Sequence, residues 1–277
     1  FDALRRSCDC ESVFIESLSR CAQWNASGGK SGSAFLKTED NRFIIKQLSK
    51  PEMDAFLKFA PHYFEYLAEA IFRELPTLLA KIYGLYRISF KNPVTGKSLK
   101  LDVMIMENLF YERSVAKTFD LKGSMRNRLV QDTGRADEVL LDENLVKHIL
   151  QSPLYVRDHA KDLIRSSIWN DTLFLAKHEV VDYSLLVAID EEKHELVIGI
   201  VDFIRTFTWD KRLENWVKEA PFLGGGGKQP TIVSPKQYKN RFRSAMERYF
   251  TVVPDKFFRT ANSDANDHPH SSYPPPL

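Results

Sequence analysis

An α+β fold is predicted from three observations. The N-terminal half is rich in strand patterns, and the second half mixes helical and strand patterns. A composition of 43% hydrophobic and 27% charged residues is enough to build a packed core. A length of 277 residues suits one large domain or two lobes with a cleft between them.

The elements follow in order. Residues 11–21 read as a short helix. Residues 27–48 read as a Gly/Ser turn between two strands, the second being Arg42-Phe43-Ile44-Ile45-Lys46-Gln47-Leu48. From 52 to 73, Phe56, Ala60, Tyr63, Leu67 and Ile71 recur at helical spacing. Pro61 is expected to kink that helix or to start a new one. Residues 80–91 and 99–106 are strands of a hairpin around the turn signal Asn92-Pro93-Val94-Thr95-Gly96. A strand over 116–121 is followed by helices over 143–150 and about 154–178. Residues 184–189 and 195–201 form a second hairpin around Glu191-Glu192-Lys193-His194. The stretch 221–235, with Gly224 to Gly227, Pro221, Pro230 and Pro235, reads as a loop, and a helix follows to Phe250. The polar, Pro-rich tail 259–277 is expected to be disordered.

Several classes are excluded by composition. A net charge of +2 is too small to argue for a nucleic-acid partner. Cys8, Cys10 and Cys21 are odd in number and crowded at one end, which is not a disulfide framework. Reduced thiols in a cytosolic protein are expected. No apolar run approaches the ~20 residues of a membrane span. The charged start, opening on Phe1, has no signal-peptide pattern and suggests a piece of a longer protein.

Two places carry chemistry. Ser27-Gly28-Gly29-Lys30-Ser31-Gly32-Ser33 can bring backbone N–H groups close to phosphate oxygens. It is not a P-loop, because Trp24 stands where the first glycine is needed and a strand follows instead of a long helix. Lys46 lies 14 residues after Gly32 in an otherwise apolar strand. A lysine there can reach phosphates under the loop, a layout that protein kinases use. An edge-strand lysine facing solvent is the alternative. The second place is a pair of aspartates. A hairpin centred on residues 192 and 193 sets Asp182 opposite Phe203, beside Asp202, at one open end. Two such carboxylates suit phosphoryl transfer, one binding Mg²⁺ and the other orienting the attacking hydroxyl. Otherwise each merely ends a strand or caps a turn. Asp120-Leu121-Lys122-Gly123-Ser124, with Arg126 and Arg128, is a basic cluster that fits an anionic ligand or a solvated turn.

Together these motifs resemble the phosphatidylinositol phosphate kinase family. Gly29-Lys30-Ser31-Gly32-Ser33 resembles its nucleotide loop, Arg42-Phe43-Ile44-Ile45-Lys46 its ATP-lysine strand, and Met104-Ile105-Met106-Glu107-Asn108 its hinge. Asp120-Leu121-Lys122-Gly123-Ser124 is similar to its DLKGS signature. Val181-Asp182-Tyr183-Ser184-Leu185-Leu186 is similar to its catalytic loop, and Ile198-Gly199-Ile200-Val201-Asp202 to its metal-binding strand end. The stretches Phe59-Ala60-Pro61-His62-Tyr63-Phe64 and Ile204-Arg205-Thr206-Phe207-Thr208-Trp209 look most like the type III branch, the PIKfyve-type 3-phosphate 5-kinases.

The resemblance implies a two-lobed kinase fold, with an N-lobe over 1–108 and a C-lobe over 109–258. It implies ATP and Mg²⁺, with Mn²⁺ as a substitute, and transfer to the 5-hydroxyl of phosphatidylinositol 3-phosphate. ATP would be held by Gly29, Lys30, Ser31, Gly32, Ser33, Lys46, Glu107, Asn108 and Leu109. Asp202 would hold the metal, Asp182 would position the hydroxyl, and Lys122 would neutralise phosphate charge. Lys228 and Arg126 would face membrane and substrate. The implied partners are a membrane phosphoinositide and regulatory scaffold proteins, on the cytosolic side of endosomal or vacuolar membranes. A 4- or 5-monophosphate substrate, a protein-serine kinase and a non-catalytic scaffold stay open. The absence of H-R-D and of the D-F-G glycine counts against the protein kinase.

Overall fold

The computed structural model describes residues 1–24, 34–91, 93, 95–135, 138–206 and 234–254. The candidates Gly29, Lys30, Ser31, Gly32, Ser33 and Lys228, and the tail from 259, lie outside the described residues.

Two short helices, α1 (Asp2–Ser7) and α2 (Phe14–Leu18), open the chain. The expected helix over 11–21 is shorter because Cys21 already pairs with Thr38 across the first sheet. That sheet has five antiparallel strands in the order β1 (Cys21–Trp24), β2 (Phe35–Thr38), β3 (Phe43–Leu48), β5 (Ser98–Glu107), β4 (Ile82–Lys91). The β4–β5 hairpin is the one its turn signal predicts.

Helix α3 (Lys50–Phe72) follows β3 directly. Ser49 caps it, and Glu52 returns a bond to the Ser49 backbone N–H at 2.9 Å, a reciprocal arrangement that satisfies two free donors at the helix start. Its buried face is Met53, Phe56, Phe59, Tyr63, Leu67 and Ala70. Burying each large apolar side chain contributes roughly 1.5–3 kcal/mol. The expected break at Pro61 does not occur, and α3 runs through it as one element. Pro61 is exposed, so the carbonyl it leaves unpaired can be hydrated while Phe59 and Tyr63 hold the helix to the core. Ile71 belongs to the outer face, not to the buried one.

The second sheet has the order β10 (Glu195–Val201), β9 (Ser184–Asp190), β6 (Val115–Leu121), β7 (Val139–Leu140). Helices α4 (Asp142–Gln151), α5 (Asp158–Lys177) and α6 (Pro235–Tyr249) belong to the same half. The expected helix from 154 begins only at Asp158. Leu154 and Val156 point inward and Tyr155 and Arg157 outward, which is strand alternation. This strand, β8 (Leu154–Arg157), pairs in parallel with β11 (Phe250–Val253), nearly a hundred positions later in the chain.

The halves are stitched together at several points. Leu79 bridges Ile200 of β10, with Ala80 N–H donating to the Ile200 carbonyl at 2.9 Å. Asp171 of α5 accepts from Tyr66 Oη at 2.6 Å, Thr77 Oγ1 at 2.8 Å and the Leu78 N–H at 2.7 Å. It is fully buried, and burial pushes its pKa up to about 6 against the pull of those donors. Tyr63 of α3 stacks on Phe203, just beyond β10, at 5.7 Å between centroids, so the buried cores of the two halves are continuous.

Candidate active site

Strands β9 and β10 pair from Glu195↔Asp190 to Val201↔Ser184. Asp182 and Asp202 lie just beyond this pairing, at the open end of the hairpin that the spacing expects, but the expected Asp182–Phe203 register does not continue, since pairing resumes one residue out of step at Val180↔Thr206. Both aspartates leave the sheet in the left-handed backbone region, with φ of 66° at Asp182 and 59° at Asp202. Aspartate tolerates that region better than most residues. Backbone conformations of this kind concentrate at functional sites.

Each carboxylate holds a lysine, Asp202 one from the first sheet and Asp182 one from the turn just after β6. Asp202 Oδ1 accepts from Lys46 Nζ at 2.8 Å. Lys46 is 4% exposed, on the central strand β3 between β2 and β5, which overturns the edge-strand alternative. Burying an ammonium requires a partner, and Asp202 is one. The other is Glu52, whose Oε1 lies 3.8 Å away. Glu52 therefore does two jobs, capping α3 and facing the buried lysine. Burial works against the charge of Asp202, but the Lys46 ammonium, by charge and hydrogen bond, together with Lys122 and Arg205, holds its carboxyl below the usual range.

Lys122 Nζ donates to Asp182 Oδ1 at 2.6 Å and to the Asp182 carbonyl at 2.9 Å. The other carboxylate oxygen, Oδ2, accepts from Arg205 Nη1 at 3.1 Å. The turn that carries Lys122 is built on Asp142, the first residue of α4. Its fully buried carboxylate accepts from the Lys122 N–H at 3.1 Å, the Gly123 N–H at 2.8 Å, Arg128 Nε at 2.8 Å and Tyr249 Oη at 3.2 Å. Gly123 has φ of 69°, and a Cβ there would lie 3.1 Å from the Phe242 Cα on α6. A side chain is thus excluded both by conformation and by space.

Arg128 is engaged within the protein. It is tied to Asp142 and to both the carboxylate and the carbonyl of Asp120. Arg126, on the same turn, is exposed. Tyr183, between Asp182 and β9, is fully buried. Its ring packs edge-on to Tyr238 and Phe242 of α6, and the Tyr238 hydroxyl donates to the Tyr183 carbonyl.

At the end of β5, Glu107 accepts from the Lys81 N–H at 2.7 Å and from Lys81 Nζ at 3.2 Å. Asn108 donates through Nδ2 to the Asn41 carbonyl at 2.6 Å, and its N–H donates to the Arg42 carbonyl at 3.1 Å. Their side chains are thus engaged within the protein. Leu109 lies against β10, where a Cβ on Gly199 would come within 2.5 Å of its Cδ1. The structure therefore brings together Lys46, Asp202, Lys122 and Asp182, while Glu107 and Asn108 engage Lys81, Asn41 and Arg42. Glu52, Asp142, Arg205 and Tyr238 were not among the expected site residues. Glu52 carried a local signal in the Ser49-Lys50-Pro51-Glu52 capping pattern, and Arg205 lies in the Ile204–Trp209 stretch that carries the resemblance.

A buried strand lysine reaching an aspartate at a hairpin mouth, beside a second lysine–aspartate pair, is the arrangement of a kinase-type phosphotransferase domain. The family model described as Phosphatidylinositol-4-phosphate 5-Kinase matches residues 17–197 and 190–249, and the chain belongs to that family. It is 60% identical over 265 residues to the 1-phosphatidylinositol 3-phosphate 5-kinase FAB1 of Saccharomyces cerevisiae, covering 95% of this chain and 12% of that protein. It is 55% identical over 248 residues to the 1-phosphatidylinositol 3-phosphate 5-kinase of Homo sapiens, covering 88% of this chain and 12% of the relative. With FAB1B of Arabidopsis thaliana, a 1-phosphatidylinositol-3-phosphate 5-kinase, it shares 51% identity over 277 residues, 98% of this chain and 16% of the relative. The chain thus spans under a fifth of the length of these relatives.

Proposed function

We propose that this chain is a catalytic domain transferring the γ-phosphate of ATP to the 5-hydroxyl of phosphatidylinositol 3-phosphate, giving the 3,5-bisphosphate. The observation that carries the reading is the contact of buried Lys46 with Asp202, next to the Lys122–Asp182 pair. The identities of 51–60% to the 3-phosphate 5-kinases support the choice of lipid. The nucleotide lies between an N-lobe of residues 1–108 and a C-lobe of residues 109–258.

In this reading Lys46, held by Glu52, binds ATP phosphate oxygens together with Gly29, Lys30, Ser31, Gly32 and Ser33. Glu107 and Asn108 brace the hinge, and Leu109 lines the adenine side. Among the described residues no group of three His, Cys, Asp or Glu side chains gathers to hold a metal. Mg²⁺ in kinases needs no such cage, since one or two carboxylates and the nucleotide phosphates complete it. Asp202 fits that role: it is half-exposed, ionised, and has one oxygen on Lys46. Bound there, Mg²⁺ or Mn²⁺ neutralises the charge of the transferring phosphate. Asp182 accepts a hydrogen bond from the attacking hydroxyl and aims it in line. Lys122 fixes Asp182 and offsets charge that grows on the transferred group.

No helix of the described residues is long and apolar enough to cross a membrane. The proposed encounter is at the surface of an endosomal or vacuolar membrane, through Lys228 and Arg126, with regulatory scaffold proteins as further partners. The test is MgATP with liposomes that each carry one monophosphoinositide, with the product isomer identified. A 3,5-bisphosphate from the 3-monophosphate is expected. Product from the 4- or 5-monophosphate alone, or phosphate transfer to a peptide alone, refutes the reading.

A further inference from the structure

We infer that Arg205 reads the phosphate already present on the substrate ring, and that it does so by leaving Asp182 for that phosphate. The inference rests on the lipid-kinase reading above.

In the structure both oxygens of the Asp182 carboxylate hold a cation, Lys122 on Oδ1 and Arg205 on Oδ2. A carboxylate that must accept a hydrogen bond from the attacking hydroxyl needs one oxygen released. The two cations are unequal. Lys122 makes two bonds to Asp182, at 2.6 and 2.9 Å, its own N–H is anchored on buried Asp142, and its side chain is 22% exposed. Arg205 makes one bond to Asp182, at 3.1 Å, and its side chain is 41% exposed. Arg205 is the one that can move. Its backbone is nonetheless fixed: the Val181 N–H donates to the Arg205 carbonyl at 3.1 Å, and Val180 bridges Thr206. The guanidinium therefore swings from a fixed base beside the catalytic loop.

A phosphomonoester dianion is the natural competitor for it, since it offers the planar guanidinium a bidentate, doubly charged partner. Ring positions 3 and 5 of inositol are separated by one carbon. A guanidinium within hydrogen-bond reach of the group that addresses the 5-hydroxyl is therefore within reach of a 3-phosphate. Phosphatidylinositol with no ring phosphate would leave Arg205 on Asp182 and the carboxylate masked. The arriving phosphate thus both binds and frees the group that acts on its neighbour.

The test compares wild type, Arg205→Gln and Arg205→Lys. Each is assayed on phosphatidylinositol 3-phosphate and on unphosphorylated phosphatidylinositol, in vesicles and as short-chain dispersed lipids. For Arg205→Gln, KM for the 3-phosphate should rise about 10- to 100-fold, the worth of one or two charge-assisted bonds. Removing the guanidinium also unmasks Asp182 when the ring carries no phosphate, so kcat on phosphatidylinositol should rise, and the preference between the two lipids should collapse by at least a similar factor. Arg205→Lys keeps the charge without the fork and should lie between. Equal losses on both lipids would reduce Arg205 to a positioning residue for Asp182, and a loss on vesicles alone would move it to the membrane surface. Either result overturns the inference. A wild type active on the 3-phosphate whose Arg205→Gln variant keeps its preference refutes Arg205 alone. A wild type that makes no product from that lipid refutes the substrate reading, and this inference with it.

Discussion

Asp142→Asn tests how the site is supported. The wild-type carboxylate is fully buried and serves four donors: the N–H groups of Lys122 and Gly123, Arg128 Nε and Tyr249 Oη. Asparagine keeps the shape and one acceptor oxygen, which can still serve the two backbone groups. Its amide nitrogen then faces Arg128 or the turn, donor against donor. Breaking a buried ion pair from one side costs about 3–5 kcal/mol. Arg128 retains Asp120, with 2.5 Å to Oδ1, so the expected cost here is nearer ~2–4 kcal/mol. For a domain of this size each kcal/mol moves the melting midpoint by about 2–4 °C, so a fall of roughly 5–15 °C is expected. Thermal unfolding followed by circular dichroism near neutral pH measures it. Lipid phosphorylation below the midpoint measures the second consequence: a loosened Lys122 turn should lower kcat by an order of magnitude or more, since misplacements of about 1 Å cost ~10²-fold. A midpoint within 2 °C of wild type would sink the energetic argument. A large fall in midpoint with an unchanged kcat would instead show that Asp142 supports the fold without positioning Lys122.

Lys46→Met removes the cation shared by Asp202 and Glu52 and should lower kcat/KM by at least ~10²–10³ in a protein that still folds. An unchanged rate and ATP KM would remove Lys46 from the nucleotide site. Asp182→Asn should lower kcat with little change in ATP affinity, whereas Asp202→Asn should abolish turnover by weakening Mg²⁺ binding; the reverse pattern would exchange their roles. Asp171, raised by burial to about 6, binds its proton more tightly folded than unfolded. It therefore favours the native state below its unfolded pKa, and that contribution is lost as pH rises through about 6. Stability should fall by up to ~1.4 kcal/mol per pH unit across that window, and Asp171→Asn should flatten the slope. Urea unfolding at several pH values reads this out, and an unaltered slope in the variant would clear Asp171 of it.

What was legible in the sequence was local. The β9–β10 register follows from a short turn, because a hairpin pairs residues of constant index sum, and so the neighbourhood of Asp182 and Asp202 could be worked out from spacing alone. The helical face of Phe56, Tyr63 and Leu67 is likewise one repeat read along one element. The errors have the same origin. Pro61 breaks a helix in isolation, but the packing of Phe59 and Tyr63 overrides it. Leu154–Arg157 reads as a continuation of α5 until β11 arrives from the far end of the chain to pair with it. The contacts of the candidate site are less local still. Lys46 meets Asp202 across 156 positions and Lys122 meets Asp182 across 60, so no spacing rule connects them. The sequence by itself determined which residues could do chemistry, and that two carboxylates share one hairpin mouth. Only the tertiary structure decided that Asp202 faces a lysine from the other sheet and Asp182 one from the turn after β6, that Asp142 holds that turn, and that Arg205 sits on the second oxygen of Asp182. Those pairings arise because burying the core of two packed halves brings distant charges into a cleft, where leaving any of them unpartnered would be costly.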